Sequence, residues 1–357
     1  MPLSATAASL ATVLDEMTAE GAPELTEHLT DGALRCFACG HRCLIKDGKR
    51  GICKVRFNEG GRLRVPVNYV AALQCDPTEK KPFFHVLPGS DTLTFGMLGC
   101  DLHCAYCQNW LTSQALRDDA AVSPPNATTP ERLVAMARAY GASMVGSSYN
   151  EPLITAEWAV EVFKQAKPNG FRTAFISNGN ATPQVLDYLR PWTDCYKIDL
   201  KSMSDRNYRQ LGGVVDNILD TAKMVHERGF WEEIVTLVIP GFNDSEAELK
   251  RAADFIASVS PDIPWHITAF HQDYRMTENA NTTAEQLMRA CEIGRAAGLR
   301  YVYAGNLPGR VGRWENTYCP SCEELLVERY GYLIKQMKVP KDGKCPSCAT
   351  SIPGIWS

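Results

Sequence analysis

From Thr92 to about Pro308 the chain alternates between two hydrophobic patterns. Short apolar runs bounded by Gly, Asn or Pro read as buried strands, and longer stretches with apolar residues every three or four positions read as amphipathic helices. The strands are "TLTFGML", "SMVGSSYN", "RTAFISN", "CYKIDL", "EEIVTLVIPG", "PWHITAFH" and "RYVYAGN". Between them "TPERLVAMARAYG", "AEWAVEVFKQAK", "PQVLDYLR", "ILDTAKMVHERG", "EAELKRAADFIASV" and Ala284 to Ala297 read as helices. The first is capped by Thr129, opened by Pro130 and stopped by Gly141. Six or seven consecutive βα units predict an α/β fold: a partial or complete parallel (β/α) TIM-like barrel. No GxGxxG follows an early strand, which weakens an open dinucleotide-binding sheet.

The pattern divides the chain into an N-terminal accessory region, 1–90, the barrel, 91–310, and a tail, 311–357. The first region is loop-rich, with "GRLRVPVNYVAAL" as strand material and "DPTEKKPFFHVLPGS" leading into the barrel. Chemistry in such barrels gathers at the C-terminal ends of the strands. Those ends carry Cys100, Cys104 and Cys107, then Asn150 with Glu151, Asn178, Asp199 with Lys201, and His271.

At 357 residues and 45% hydrophobic content the chain can bury a large core. A net charge of -4, with both signs dispersed, gives no basic footprint for nucleic acid. No run approaches the ~20 apolar residues of a membrane span. "MPLSATAASLATVLDEM" lacks a basic start and carries Asp15 and Glu16 where a signal peptide keeps its apolar core, so a cytoplasmic protein is expected.

Fourteen cysteines then change the picture. Their close spacing in a large chain favours metal over disulfides. Cys319, Cys322, Cys345 and Cys348 form C-x2-C-x22-C-x2-C, a zinc-ribbon pattern. Cys36, Cys39, Cys43 and Cys53 begin like a zinc knuckle but continue without a second one. Structural zinc, favoured by the CxxCG turn and with His41 as a substitute ligand, and an auxiliary iron-sulfur cluster both fit. Cys75, Cys195 and Cys291 stand alone and read as packing residues. Cys100, Cys104 and Cys107 are three where a closed site needs four, which suits a cluster with one iron left open; a zinc site completed by His103 is the competing reading.

"CDLHCAYC", with an aromatic residue before its third cysteine, resembles the CxxxCxxC motif of the radical S-adenosylmethionine (SAM) superfamily. The resemblance implies a [4Fe-4S] cluster on Cys100, Cys104 and Cys107, beside Tyr106. It also implies SAM bound to the open iron and cleaved reductively to a 5'-deoxyadenosyl radical that abstracts hydrogen from a substrate. "YNEP" resembles the family's GGEP segment without its glycines, making Glu151, beside Asn150, the acceptor for the cofactor's ammonium; a helix-capping loop is the alternative. "SNG", with Ser177 and Asn178, resembles the loop contacting ribose or carboxylate. Asp199 and Lys201 resemble cofactor-holding residues of glycyl-radical-enzyme activases, or are a structural ion pair. In "VIPGFND", Val238 and Ile239 are expected near the adenine, and His271 of "FHQDY" near the ribose.

Over about residues 34 to 310 the chain resembles the radical SAM proteins of the AmmeMemoRadiSam system, related to pyruvate formate-lyase activating enzyme. That implies Memo-like and AMMECR-type protein partners and an electron donor such as a flavodoxin or ferredoxin. The expected activity is hydrogen abstraction from an unidentified small molecule or peptidyl group. A glycyl-radical activase and a non-catalytic, metal-stapled SAM-binding adaptor are the alternatives.

Overall fold

The computed structural model describes residues 10–357, so the first nine residues of the stretch read for a signal peptide lie outside it. Its centre is an eight-stranded sheet. In chain order the strands are β1 (Ala72–Pro77), β2 (Asp91–Gly96), β3 (Met144–Ser147), β4 (Arg172–Ser177), β5 (Cys195–Asp199), β6 (Trp231–Val238), β7 (Trp265–Ala269) and β8 (Val302–Gly305). Spatial order follows chain order throughout. β1 pairs antiparallel with β2, and every later pair is parallel.

Helices α1 (Pro130–Ala139), α2 (Ala156–Ala166), α3 (Pro183–Leu189), α4 (Val215–Glu227), α5 (Glu246–Val259) and α6 (Ala284–Ala296) supply the crossovers. Right-handed crossovers that always step in one direction keep their helices on one face of the sheet, leaving the other face to line a site. The outer strands β1 and β8 do not pair with each other, so the sheet is open along that seam.

Local chemistry explains where the helices begin. Thr129, Thr182, Ser245 and Thr283 each accept the backbone N–H of the residue three positions on, and Pro follows at Pro130 and Pro183. Thr283 and Gln286 complete a reciprocal capping box. Strands buried on both faces lose the apolar alternation of half-exposed ones: Leu93, Phe95, Val145, Phe175, Tyr196, Ile198, Ile234 and Ile267 are all inaccessible.

The N-terminal region makes two three-stranded antiparallel sheets. Ala72–Pro77, which the sequence grouped with that region, instead extends the main sheet as β1 through six paired residues. A buried ion pair clamps the region to α2. Both Nη atoms of Arg56 lie 2.7 Å from the Glu157 carboxylate, and Nη1 also donates to the Ile154 carbonyl at 3.2 Å. At the other end, Thr317–Tyr318, Leu325–Tyr330 and Leu333–Met337 form a small antiparallel sheet. Its Leu326 and Val327 pack with Phe84, Tyr301 and Tyr303. No described helix is long and apolar enough to cross a membrane.

Candidate active site

A cavity of about 400 Å³ opens on the helix-free face of the sheet. Cys100, Cys104 and Cys107, on the loop after β2, border it together with Tyr106, Asn150, Glu151, Asn178, Asp199 and Lys201. The strand ends therefore converge as parallel winding requires.

The loop is held by specific contacts. Gly96 is needed where β2 ends: a Cβ there would stand 2.5 Å from the Ser148 carbonyl oxygen and 2.7 Å from Tyr149 Cβ. Tyr149 itself adopts φ +66, a left-handed backbone that costs a non-glycine residue about 1–2 kcal/mol. Thr112 Oγ1 stabilises that turn by donating to the Tyr149 carbonyl at 2.7 Å. Asn150 Oδ1 accepts from the Met97 N–H at 3.0 Å, tying the turn to the cysteine loop.

Glu151 is nearly inaccessible and heavily hydrogen-bonded. Ser177 Oγ and the Asn178 N–H each donate at 2.7 Å, and the Leu153 N–H at 3.1 Å. Burial, with the nearby Asp101 charge, still pushes it up to about 8. Ser177 thus supports Glu151 and does not border the cavity. Asp101, inside the cysteine motif, is fully buried and accepts from Asn178 Nδ2 at 2.7 Å and Asn180 Nδ2 at 2.8 Å.

Asp199 ends β5 between two lysines. Lys201 Nζ donates to it at 3.1 Å, and Lys197 Nζ makes a shorter contact from the opposite side. Burial would raise Asp199, but the two ammonium groups outweigh it and hold the carboxyl at about 2. The predicted Asp199–Lys201 pair is therefore present, and Lys197 joins it. Its signal was the period-two spacing of Lys197, Asp199 and Lys201 in "KIDLK".

Two expected positions fall elsewhere. Val238 is 1% exposed and packs in the core, while Val235 and Leu237 border the cavity. Strand alternation turns Val238 away from the cavity, so the expectation that it lines the cofactor pocket is corrected. His271 is exposed and lies outside the cavity lining; its Nε2 is 3.1 Å from Gln108 Nε2, and Gln108 does border the cavity.

Burial pushes the thiols of Cys100, Cys104 and Cys107 up, Cys104 to about 12, so a bound cation is what would draw out their thiolates. His103 does not complete a ligand set with them in the cavity lining. Its ring lies over Gly212, where a Cβ would be 2.5 Å from Cε1. His41 Nε2 contacts the Asp101 carbonyl oxygen at 3.1 Å, linking the N-terminal region to the cysteine loop.

Among the described residues, Cys319, Cys322, Cys345 and Cys348 are the set whose ligand atoms all lie within 4.8 Å of one another, close enough to surround one ion. Cys36, Cys39 and Cys53 are buried and Cys43 half-buried. The sequence missed His266, Tyr303 and Glu79, which border the far end of the cavity. They sit at the start of strands or on a loop, where no motif marks them.

A Radical SAM superfamily model matches residues 95–256. The chain is 34% identical over 329 residues to an uncharacterized protein of Methanocaldococcus jannaschii, covering 91% of this chain and 97% of that one. It is 27% identical over 205 residues to pyruvate formate-lyase 1-activating enzyme of Escherichia coli, covering 54% and 80% respectively. A domain of a pyruvate-formate lyase-activating enzyme from Bacteroides vulgatus aligns with 23% identity and a TM-score of 0.42, over 46% of this chain and 100% of that one.

Proposed function

From the Radical SAM superfamily match over residues 95–256, we propose that the chain is an enzyme of that superfamily holding a [4Fe-4S] cluster on Cys100, Cys104 and Cys107, with SAM beside it. The observation that carries this is the convergence of the three cysteines with Asn150, Glu151, Asn178, Asp199 and Lys201 on one cavity. The donor set fits. Three cysteine sulfurs, Cys104 buried and Cys100 and Cys107 half-buried, would leave one iron of such a cluster open, and buried polar groups stand where an amino-acid moiety would need partners. When bound, the cluster and SAM supply one-electron cleavage and hydrogen-atom abstraction.

This chain's residues bind and orient. Glu151 is fixed by three donors, so a cofactor ammonium meets an acceptor that cannot swing away. Lys201, ion-paired with the Asp199 carboxylate that Lys197 shares, puts a positive group beside Cys104. The substrate is a small molecule or a peptidyl group. Lys80 and Lys81 from the N-terminal side, and Tyr332 from the tail, border the cavity and narrow its opening. That favours a small substrate over the glycyl loop of a large partner, the activase reading.

The one-directional winding supports a partial barrel of the radical SAM type, flanked by 1–90 and 311–357 as accessory parts. The gathered C-terminal quartet supports a zinc ribbon, while for the N-terminal quartet it is the cysteine spacing that supports zinc or an auxiliary cluster. Memo-like and AMMECR-type partners and a flavodoxin or ferredoxin donor complete the proposal. Its test is anaerobic reconstitution followed by SAM and dithionite, with chromatographic detection of 5'-deoxyadenosine. Product is expected from the wild type and not from Cys104→Ala; a fully loaded wild type that yields none overturns the reading.

A further inference from the structure

We propose that His266 and Glu233 form a proton-accepting dyad at the floor of the cavity, and that the substrate is a small planar molecule presenting a phenolic or enolic hydroxyl to His266 Nδ1. This rests on the cavity being the substrate site of the enzyme proposed above.

His266 is the second residue of β7, at the end of the strand remote from the cysteine loop. Its Nε2 lies 2.5 Å from Oε2 of Glu233, on the neighbouring strand β6. Glu233 is fully buried and held by three further donors. The His85 N–H and Trp231 Nε1 each donate to Oε1 at 3.0 Å, and the Phe84 N–H to Oε2 at 3.0 Å. Burial alone would raise this carboxyl, yet its bond to His266 and its other donors hold it below the usual range. A carboxylate bonded to one ring nitrogen fixes the tautomer: Nε2 carries the proton and Nδ1 is left as an acceptor.

That acceptor is left open, for Nδ1 has no hydrogen-bond partner among the described residues. The ring is also fixed in direction. Phe84 meets it edge-on at 4.7 Å, and Tyr303 stacks on it at 5.2 Å and 28°. His266, Phe84 and Tyr303 border the cavity, with Ile176, Val235 and Leu237 as apolar walls. Such walls suit a flat ring, and one acceptor at their foot suits one hydroxyl.

Neither Arg329 nor His85 can replace His266. Arg329 spends its Nη atoms on Thr317 Oγ1 and the Phe84 carbonyl, both at 2.8 Å. His85 is engaged on both ring nitrogens, by Pro353 O and Tyr303 OH, and burial holds it near 4. Glu79 also borders the cavity: the Gly89 N–H donates to its Oε1, its Oε2 has no hydrogen-bond partner among the described residues, and burial pushes its carboxyl up to about 7, so Glu79→Gln joins the test as the variant expected to leave phenol ionisation in place. The proton-transfer step balances simply. The O–H bond of the substrate breaks, its electron pair stays on oxygen, the proton moves to Nδ1, and Glu233 supplies the countercharge for the imidazolium. Glu233 is thereby a positioning residue and His266 the catalytic one.

The probe is 2-fluoro-4-nitrophenol, whose fluorine resonance reports ionisation, added to the full-length protein without SAM. At a pH where the free phenol is mostly neutral, the bound form is expected to be enriched at least tenfold in phenolate. His266→Gln is expected to remove the enrichment. Nitrogen-15 shifts of His266 give a second measurement on the wild type alone: Nε2 protonated, Nδ1 free, with Nδ1 gaining a proton when the phenol binds. Glu233→Gln is expected to scramble that tautomer. A bound phenol that stays neutral, no binding up to its solubility, equal behaviour of His266→Gln, or a protonated Nδ1 in the free protein would each overturn the dyad. Phenol ionisation here, combined with no 5'-deoxyadenosine in the separate assay of reconstituted protein with SAM and dithionite, would instead overturn the radical reading, so the two failures are distinguishable.

Discussion

Removing Arg56 should unfasten the N-terminal region from α2. Its side chain is 1% exposed and that of Glu157 8%, so the bidentate pair is shielded from water. In Arg56→Met, Glu157 keeps one donor, the Ala22 N–H at 3.3 Å, for a carboxylate that had two charged bonds at 2.7 Å. Stranding one member of a buried pair costs about 3–5 kcal/mol. Replacing both by apolar side chains of similar length leaves no stranded charge, so the double variant Arg56→Met/Glu157→Met should lose less than about 2 kcal/mol. Urea unfolding of the wild type, both single variants and the double variant gives the coupling directly. Single variants within about 1 kcal/mol of the wild type, or a double variant whose loss equals the sum, would refute this account of the clamp.

Two further outcomes concern groups remote from the cavity. Glu232 is 3% exposed, neither of its carboxylate oxygens has a hydrogen-bond partner, and His226 Nδ1 is 3.9 Å away. Burial holds this carboxyl well above the usual range, so the folded state binds its proton more tightly than the unfolded chain and loses stability as pH rises above the unfolded pKa of about 4.3. Glu232→Met should stabilise by about 1–3 kcal/mol at pH 8 and by less at pH 5, read from urea midpoints; a pH-independent effect would contradict it. In the tail, Cys345→Ser should cost one zinc per chain by elemental analysis, and chelation of the wild type should lower its melting temperature. Iron at that quartet would refute the zinc reading.

Much of the centre was legible because local signals and tertiary need agree there. Caps at Thr129, Ser245 and Thr283 fix helix starts, and the apolar runs fix the strands. The cysteine spacing, Glu151 and the Asp199–Lys201 pair were legible because each sits at a strand end, where position implies direction. Which face a doubly buried strand turns inward was not: Val238 and Leu237 are chemically equivalent, and only the register of β6 separates them. His266 and Glu233 escaped for a related reason. His266 reads as an isolated polar interruption of an apolar strand and Glu233 as one of two acidic residues opening another, and their meaning lies in a contact spanning 33 residues. β1 was grouped with the wrong neighbours because an edge strand carries no mark of the sheet it will join.

The floor beneath the cavity is assembled from distant parts of the chain: Arg329 reaches the Phe84 carbonyl across 245 residues, and His85 reaches Pro353 across 268. Contacts so remote form late, since loop closure must precede them. During synthesis the cysteine loop at 100–107 emerges long before the segment that seals the floor. The β2 to β6 framework can therefore form around an open trough, with the cysteines reachable from two directions. With the iron site proposed above, iron delivered in that interval would meet an accessible loop, whereas iron delivered afterwards would enter past Lys80, Lys81 and Tyr332. The order of translation and metal loading would then decide which of the two routes is used.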